Sequence, residues 1–393
     1  MDTIITLKGP DRVRRRPAVA FGSDGQEGAE AVVRYLLNIF LHEAARGHSR
    51  RLAVTLGKDG TVTVHSSDRG FCLDDTPLEG KPRWWYSFCE MYTPLPETDP
   101  FAFTEREVEH EELYSIDRQP VVPGYGMEPS SYYRPSWMQY VSDRMEVEAV
   151  RDGVRRQLRF EKGYPVGELQ KSPCADAPYT RIRFRPDPAV FSDVTLRPAM
   201  LRAYLQDAAV TVAGLTCTLT DEATGVTEQF LHPQGAVSLA AEAAKRAVTP
   251  VFTKTIEATG RERYNKPEYT ARVTLTLRFV REGGDARCYH NLRRLTAGGT
   301  HLQAVQKRST EYLNWQLELP QDKTLTWEAI APHCLLVLES CSTGRISHWK
   351  TGRADAIASR LIAEIATDLA GEDFRYFVKQ NEEALAALFD AQP

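Results

Sequence analysis

The stretch GAEAVVRYLLNIFLHEAARGHSRRLAVTLGKDGTVTVH, from Gly28 to His65, decides the fold. In its first half Val32, Val33, Leu36, Leu37, Phe40, Leu41 and Ala44 recur at helical spacing, and Gly47 stands where a helix would end, so one long amphipathic helix is predicted from Gly28 to Gly47. Two alternating runs follow, Leu52 to Leu56 and Thr61 to His65, joined by Gly57, Lys58, Asp59 and Gly60, which reads as a β-hairpin. A helix leading straight into paired strands is the opening of an α+β domain.

Downstream, Pro77 to Pro135 breaks every period. It mixes prolines with Trp84, Trp85 and Tyr86 and an acidic run from Glu105 to Glu112, so an irregular insertion is expected there. Three adjacent aromatic residues would form an exposed apolar patch unless packed, so they are expected either to fill a pocket or to meet a partner. Pattern returns with strands at Glu146 to Val150 and Arg155 to Phe160 around Asp152 and Gly153, then Thr180 to Phe184, a helix near Pro198 to Ala209 and a strand from Thr211 to Thr220. A fresh series starts near Pro233, which divides the chain into domains 1–232 and 233–393. The second is read as a helix from Val237 to Arg246, strands at Val251 to Ile256 and Ala271 to Val280, a helix after Gly299 and a strand from Cys334 to Glu339. Two terminal helices, Ala354 to Ala370 and Phe374 to Phe389, complete it.

The 393 residues suffice for two ordinary cores, and no apolar run reaches a membrane span, which predicts a cytoplasmic protein without membrane contact. Seven scattered cysteines include no Cys-x-x-Cys pair, so neither zinc nor redox chemistry is indicated and no metal site is assigned. A net charge of -4 gives no general attraction to nucleic acid, leaving DNA contact to local basic patches. The Arg14 to Arg16 run reads as a solvated face, and Arg293, Arg294, Lys307 and Arg308 form a candidate DNA-facing set.

Leu7, Lys8, Gly9, Pro10, Asp11, Arg12, Val13, Arg14, Arg15, Arg16 and Pro17 resemble the opening of the gyrase B and topoisomerase IV B ATPase subunits, Leu-x-Gly-x-x-x-Val-Arg-x-Arg-Pro. Ala44, Gly47 and His48 resemble the end of that family's first long helix, and Arg69 with Gly70 its adenine loop. Arg151, Thr180 with Arg183 and Phe184, Asn291, and Gly298 to Leu302 follow in the family's order, and Lys350 falls at its transducer lysine. The resemblance runs from about Ile5 to Asp373. It implies an α+β chain built from a GHKL (Bergerat) α/β sandwich, followed by a transducer domain of the ribosomal protein S5 domain 2-like type. It also implies ATP and Mg²⁺ as cofactors and ATP-closed dimers that capture DNA. The family's Toprim domain is not expected in this chain, and its dimer-clasping amino-terminal arm is expected to be largely absent.

Hydrolysis in that family needs a carboxylate that activates water, an oxygen ligand for magnesium and an Asp that reads the adenine amino group. The resemblance puts Tyr35 at the general base, Asn38 at the neighbouring Asp and Ile39 at the magnesium ligand. A phenol with a pKa near ~10 is a poor base at neutral pH, and isoleucine offers no oxygen; a one-residue slip would bring Asn38 to the metal. The adenine-reading Asp falls on Ser66 or Ser67, with Asp68 adjacent. The glycine-rich phosphate lid falls on Glu128 to Arg134, which contains no glycine. The positions left to a nucleotide are Asn38, Ser66, Asp68, Gly70, Arg151 and Thr180, with Lys350 at the γ-phosphate; His301, Gly298 and Gly299 read as structural.

Loss of a general base alone removes ~10²- to 10⁴-fold in rate. The expected function is therefore a gyrase-B-like pseudo-ATPase that binds neither ATP nor Mg²⁺ tightly. It would act as a binding or regulatory subunit, as a homodimer or with a gyrase-type partner, with DNA reached through the transducer's basic patch. The alternative is an ATP-hydrolysing DNA topoisomerase component that turns over weakly through Lys350.

Overall fold

A computed structural model describes residues 9–75, 80–90, 135–266, 268–318, 324–343, 346–351 and 354–390, with 347–351, 354 and 390 described by backbone alone. Two compact units meet in sequence between Leu231 and His232.

The first unit opens with two short helices, α1 (Pro10–Arg14) and α2 (Pro17–Phe21), each started by a proline in its first turn. The predicted long helix is α3, Gln26–Ala45, whose Val32, Val33, Leu36 and Leu37 are fully buried. The hairpin follows as β1 (Arg51–Leu56) and β2 (Val62–Ser66), antiparallel with Val54 opposite Val64. Next come α4 (Arg83–Cys89), α5 (Pro135–Tyr140), β3 (Ser142–Arg151), β4 (Val154–Glu161), β5 (Tyr164–Pro165), β6 (Gln170–Pro173) and β7 (Tyr179–Pro186). The unit closes with α6 (Pro198–Thr211), β8 (Thr216–Asp221) and β9 (Val226–Phe230). All nine strands form one sheet, ordered β5-β4-β3-β7-β2-β1-β8-β9, with β6 on β4. The parallel pair β1 and β8 is where α6 crosses back, and it puts β1 and β2 near the centre under α3.

Alternation sets the layers. On β7, Thr180, Ile182 and Phe184 are buried while Arg181 and Arg183 face out. The expected strand Thr211 to Thr220 starts five residues late, because α6 runs on to Thr211. The irregular insertion also needs correction. Residues 76–79 and 91–134 lie outside the described residues, but Arg83–Cys89 is a helix, and Trp84 is buried edge-on to Phe160 rather than left as a patch. An aromatic series from Phe40 through Phe71 and Phe88 to Phe160 and Trp84 draws α4 into the core.

The second unit begins with α7 (Ala236–Glu242) and a 3₁₀ turn at Ala243–Arg246. Its main sheet contains β10 (Phe252–Gly260), β11 (Tyr269–Phe279), β12 (Asp285–His290), β13 (Arg293–Leu295) and, later in the chain, β15 (Cys334–Ser342), in the order β10-β11-β15-β12-β13. The two-residue strand β14 (Gly298–Gly299) leads into α8 (Thr300–Leu317), and α9 is Trp327–Ile330. Ala354–Ala358, expected to start a helix, is the strand β17. It pairs with β16 (Ser347–Thr351) and β14, and the helix α10 starts only at Arg360 and runs to Leu369. Ser359 sets that boundary, its hydroxyl accepting from the Ile362 amide at 3.0 Å. The last helix is split at Asn381 into α11 (Glu372–Gln380) and α12 (Glu382–Asp390). The core lies between one sheet face, Val273, Leu275, Leu277, Leu336 and Leu338, and residues Val305, Leu313, Ile362, Ile365 and Phe374 of the helices.

Candidate functional site

The loop leaving β2 concentrates buried polar groups in the first unit. Ser66, at the position spacing gives the adenine-reading Asp, is fully buried and shares a 3.0 Å hydrogen bond with Ser49. Two residues on, Asp68 is only 5% exposed. Its Oδ1 accepts from the Gly70 amide at 2.8 Å and from the Thr180 hydroxyl at 2.9 Å, and that hydroxyl in turn accepts from the Phe71 amide at 3.2 Å. Asp68 Oδ2 is buried with no hydrogen-bond partner. Burial raises this carboxyl to about 6, against the opposing effect of hydrogen bonding from Gly70, Thr180 and the nearby Ser66 hydroxyl and of the Arg69 charge.

Local geometry requires this arrangement. Gly70 has φ +74, and a Cβ there would lie 2.2 Å from the Val150 carbonyl oxygen and 3.0 Å from the Cβ of Arg151, so only glycine lets the loop close on the end of β3. Ser66 stands opposite Thr180 in the β2–β7 ladder, which brings Ser66, Asp68, Gly70, Arg151 and Thr180 into one corner. Beyond it the loop is pinned by ion pairs from Asp74 to Arg156 at 2.7 Å and Lys171 at 2.6 Å, and from Asp75 to Arg83 at 2.5 Å.

The hydrolytic positions are different. Tyr35 on α3 lies against Phe21, ring centroids 5.9 Å apart, and the Asn38 side-chain oxygen accepts from the Tyr204 hydroxyl at 2.5 Å across to α6. That hydrogen bond ties to α6 the oxygen that a one-residue slip would have offered to magnesium. Among the described residues no group of three His, Cys, Asp or Glu side chains could hold a metal ion. Among the described residues, the positions that the resemblance gives to the base and the metal ligand, Tyr35 and Ile39, offer no carboxylate or amide oxygen, and the buried acceptor of the Asp68 corner is Oδ2.

Two features are missed by reading the sequence alone. Glu43, fully buried on α3, receives Arg69 Nε at 2.5 Å and Nη2 at 3.1 Å, so the loop arginine is clamped to the helix. Carboxylates among the apolar positions of the helix, Glu43 and likewise Glu30, which pairs with Arg197, are the signal, because a buried charge requires a partner. The Asn38–Tyr204 hydrogen bond has no comparable signal in the sequence.

In the second unit the backbone of Lys350 in β16 pairs with Asp355 in β17; its side chain lies outside the described residues, as does the expected lid from Glu128 to Arg134. Of the DNA-facing set, Arg293 is ion-paired to Asp355, and Arg294 reaches the Tyr289 hydroxyl at 3.3 Å. Arg308 pairs with Glu311 at 3.1 Å and Tyr312 at 2.8 Å, while Lys307 is exposed. His301 is fully buried in the core face of α8, with both ring nitrogens lacking a hydrogen-bond partner.

This architecture is that of a GHKL (Bergerat) ATPase-type domain followed by a transducer domain. The solved 43K ATPase domain of Thermus thermophilus gyrase B, in complex with an aminocoumarin, superposes with TM-score 0.69 over 98% of this chain and 93% of that one, at 22% identity. The topoisomerase IV ATP-binding domain of Francisella tularensis superposes at TM-score 0.65 over 98% and 96%, at 15% identity. In sequence the chain resembles gyrase B of Thermus thermophilus, 28% identical over 79% of this chain and 45% of that protein. It also resembles topoisomerase IV B of Streptococcus pneumoniae, 24% identical over 98% and 56%. No protein-family model matches. The chain is thus a relative of the gyrase B and topoisomerase IV B proteins and spans about half their length. No described helix is long and apolar enough to cross a membrane.

Proposed function

We propose that this chain is a gyrase-B-like pseudo-ATPase: a module that recognises a purine at Asp68 without hydrolysing ATP, and that serves in a binding or regulatory role. The observation that carries the reading is the Asp68 carboxylate, held through Oδ1 by Gly70 and Thr180 and left with a buried, unpartnered Oδ2. A buried acceptor without a partner costs roughly 1–3 kcal/mol, a cost that an exocyclic amino group donating to Oδ2 would offset. The loop has in effect moved the carboxylate from the end of the strand to a turn two residues later.

What is missing concerns turnover. No carboxylate stands at Tyr35, and Asn38 is bonded to Tyr204, so on this reading the described residues at these positions supply neither a base for water nor a seat for a cation. On this reading the protein acts through its occupied or empty state, alone as a dimer or with a gyrase-type partner. Phosphate release from ATP by the purified chain should stay at the buffer background, with or without Mg²⁺. Sustained multiple turnover, abolished by Lys350→Ala, would instead establish a hydrolysing topoisomerase component.

A further inference from the structure

The second unit holds a cavity of about 420 Å³ that the purine site does not use. Its roof is α7 with the following 3₁₀ turn, and its floor is the sheet at β12 and β15. Leu336 and Leu338 of β15 pack into the core, so the alternating Leu335 and Val337 turn to the other face, where they line the cavity together with Leu239, Ala240 and Ala243 of the roof. Two alanines in the roof leave the space that larger side chains would fill.

The roof is fixed from below. Arg278 stands next to Leu335 in the β11–β15 ladder; its Nε donates to the Thr249 carbonyl at 2.9 Å and its Nη1 to the Ala240 carbonyl at 3.2 Å. Beyond the 3₁₀ turn the Arg281 amide donates to the Arg246 carbonyl at 2.8 Å. The walls are thus preformed, which removes part of the ordering cost of binding.

Charge at the rim is unevenly compensated. Asp285 is paired with Arg287 at 2.7 Å, and Glu242 lies 3.3 Å from the His232 ring. Arg246, half-buried at the mouth, donates from Nη1 to the Glu282 carbonyl at 3.1 Å and has no carboxylate partner among the described residues. Its Nε and Nη2 have no acceptor among them either, and that edge of a guanidinium matches the two oxygens of a carboxylate.

We propose that this cavity binds a small organic anion, a carboxylate on an apolar frame, with the carboxylate on Arg246 and the frame over Leu335 and Val337. Small-molecule sites have volumes of ~300–1,000 Å³ and combine an apolar lining with a few polar groups that fix orientation, as here.

The test is calorimetric titration of sodium octanoate into the full chain, which should show saturable uptake. Arg246→Gln should weaken it roughly ten- to a hundredfold, the loss expected for one charge-assisted pair. Octylammonium chloride, with the same chain and the opposite charge, should bind more weakly than octanoate by a similar factor. Ala243→Leu, which puts a larger side chain into the cavity, should abolish uptake. Urea melts of both variants separate a lost site from a lost fold, and Arg246→Gln still reports on the site where the leucine destabilises the unit. No saturable uptake at millimolar octanoate, equal binding of octanoate and octylammonium, or wild-type affinity in either variant overturns the proposal.

Discussion

Asp68 combines a stability cost with the binding role proposed for it. Its carboxyl titrates near 6 in the folded chain, against an ordinary 3.8, so the folded state holds the extra proton between those values and loses stability as pH rises through them. The ionised group therefore costs about 3 kcal/mol at neutral pH. Asp68→Asn keeps the oxygen that accepts from Gly70 and Thr180 and removes the charge. Its urea midpoint at pH 7 should be no lower than wild type; a clear drop would mark Asp68 as a structural residue. His301 has the opposite sign. Burial lowers it to about 4, from 6.5, so the unfolded chain binds the extra proton between those values and stability is lost as pH falls through them, by up to about 3 kcal/mol. Urea melts at pH 7 and pH 5 should show this loss in wild type and a much smaller one in His301→Leu. Arg69→Ala removes the nearer cation from buried Glu43 and leaves Arg46 at 4.0 Å, and it should lower the urea midpoint in the same assay.

At the scale of elements, the legible parts are those whose period matches their environment. Helix α3 and the β1–β2 hairpin are readable because one face of each is fully buried and the other only half-buried, so the apolar residues keep the period of the element. Ala354 to Ala370 misleads because an alanine-rich strand of five residues has no period that separates it from the helix it precedes; only the pairing of β17 with β14 and β16 decides it. The same pairing explains the two glycines before α8. Gly299 sits at φ +145, and a Cβ would fall 2.0 Å from the Ile357 carbonyl oxygen, so Gly299→Ala should pry β14 from β17 and cost about 2 kcal/mol or more in urea denaturation. Arg83–Cys89 is hidden for another reason: a seven-residue helix bracketed by proline and polar residues is held by Trp84 and Phe88 against Phe71 and Phe160, neighbours distant in sequence.

Across the whole molecule, the ordered motifs from Leu7 to Lys350 lead to the architecture that the solved gyrase B and topoisomerase IV ATPase domains share with it. On the proposed reading the site is written as a set of losses, since the resemblance puts Tyr35 where a glutamate would stand and Ile39 where a metal ligand would stand. What is retained is harder to see. Spacing points to Ser66, and only the positive-φ turn at Gly70 returns a carboxylate, that of Asp68, to Thr180.

The central claim, purine recognition without hydrolysis, is tested most directly by calorimetric titration of a non-hydrolysable ATP analogue into the full chain and into Asp68→Asn, each with and without Mg²⁺. The account predicts saturable heat for wild type that is indifferent to Mg²⁺, weakens as pH is taken below about 6, and disappears in the variant. Binding that requires Mg²⁺ and survives Asp68→Asn, or no binding at all at millimolar analogue, would contradict it.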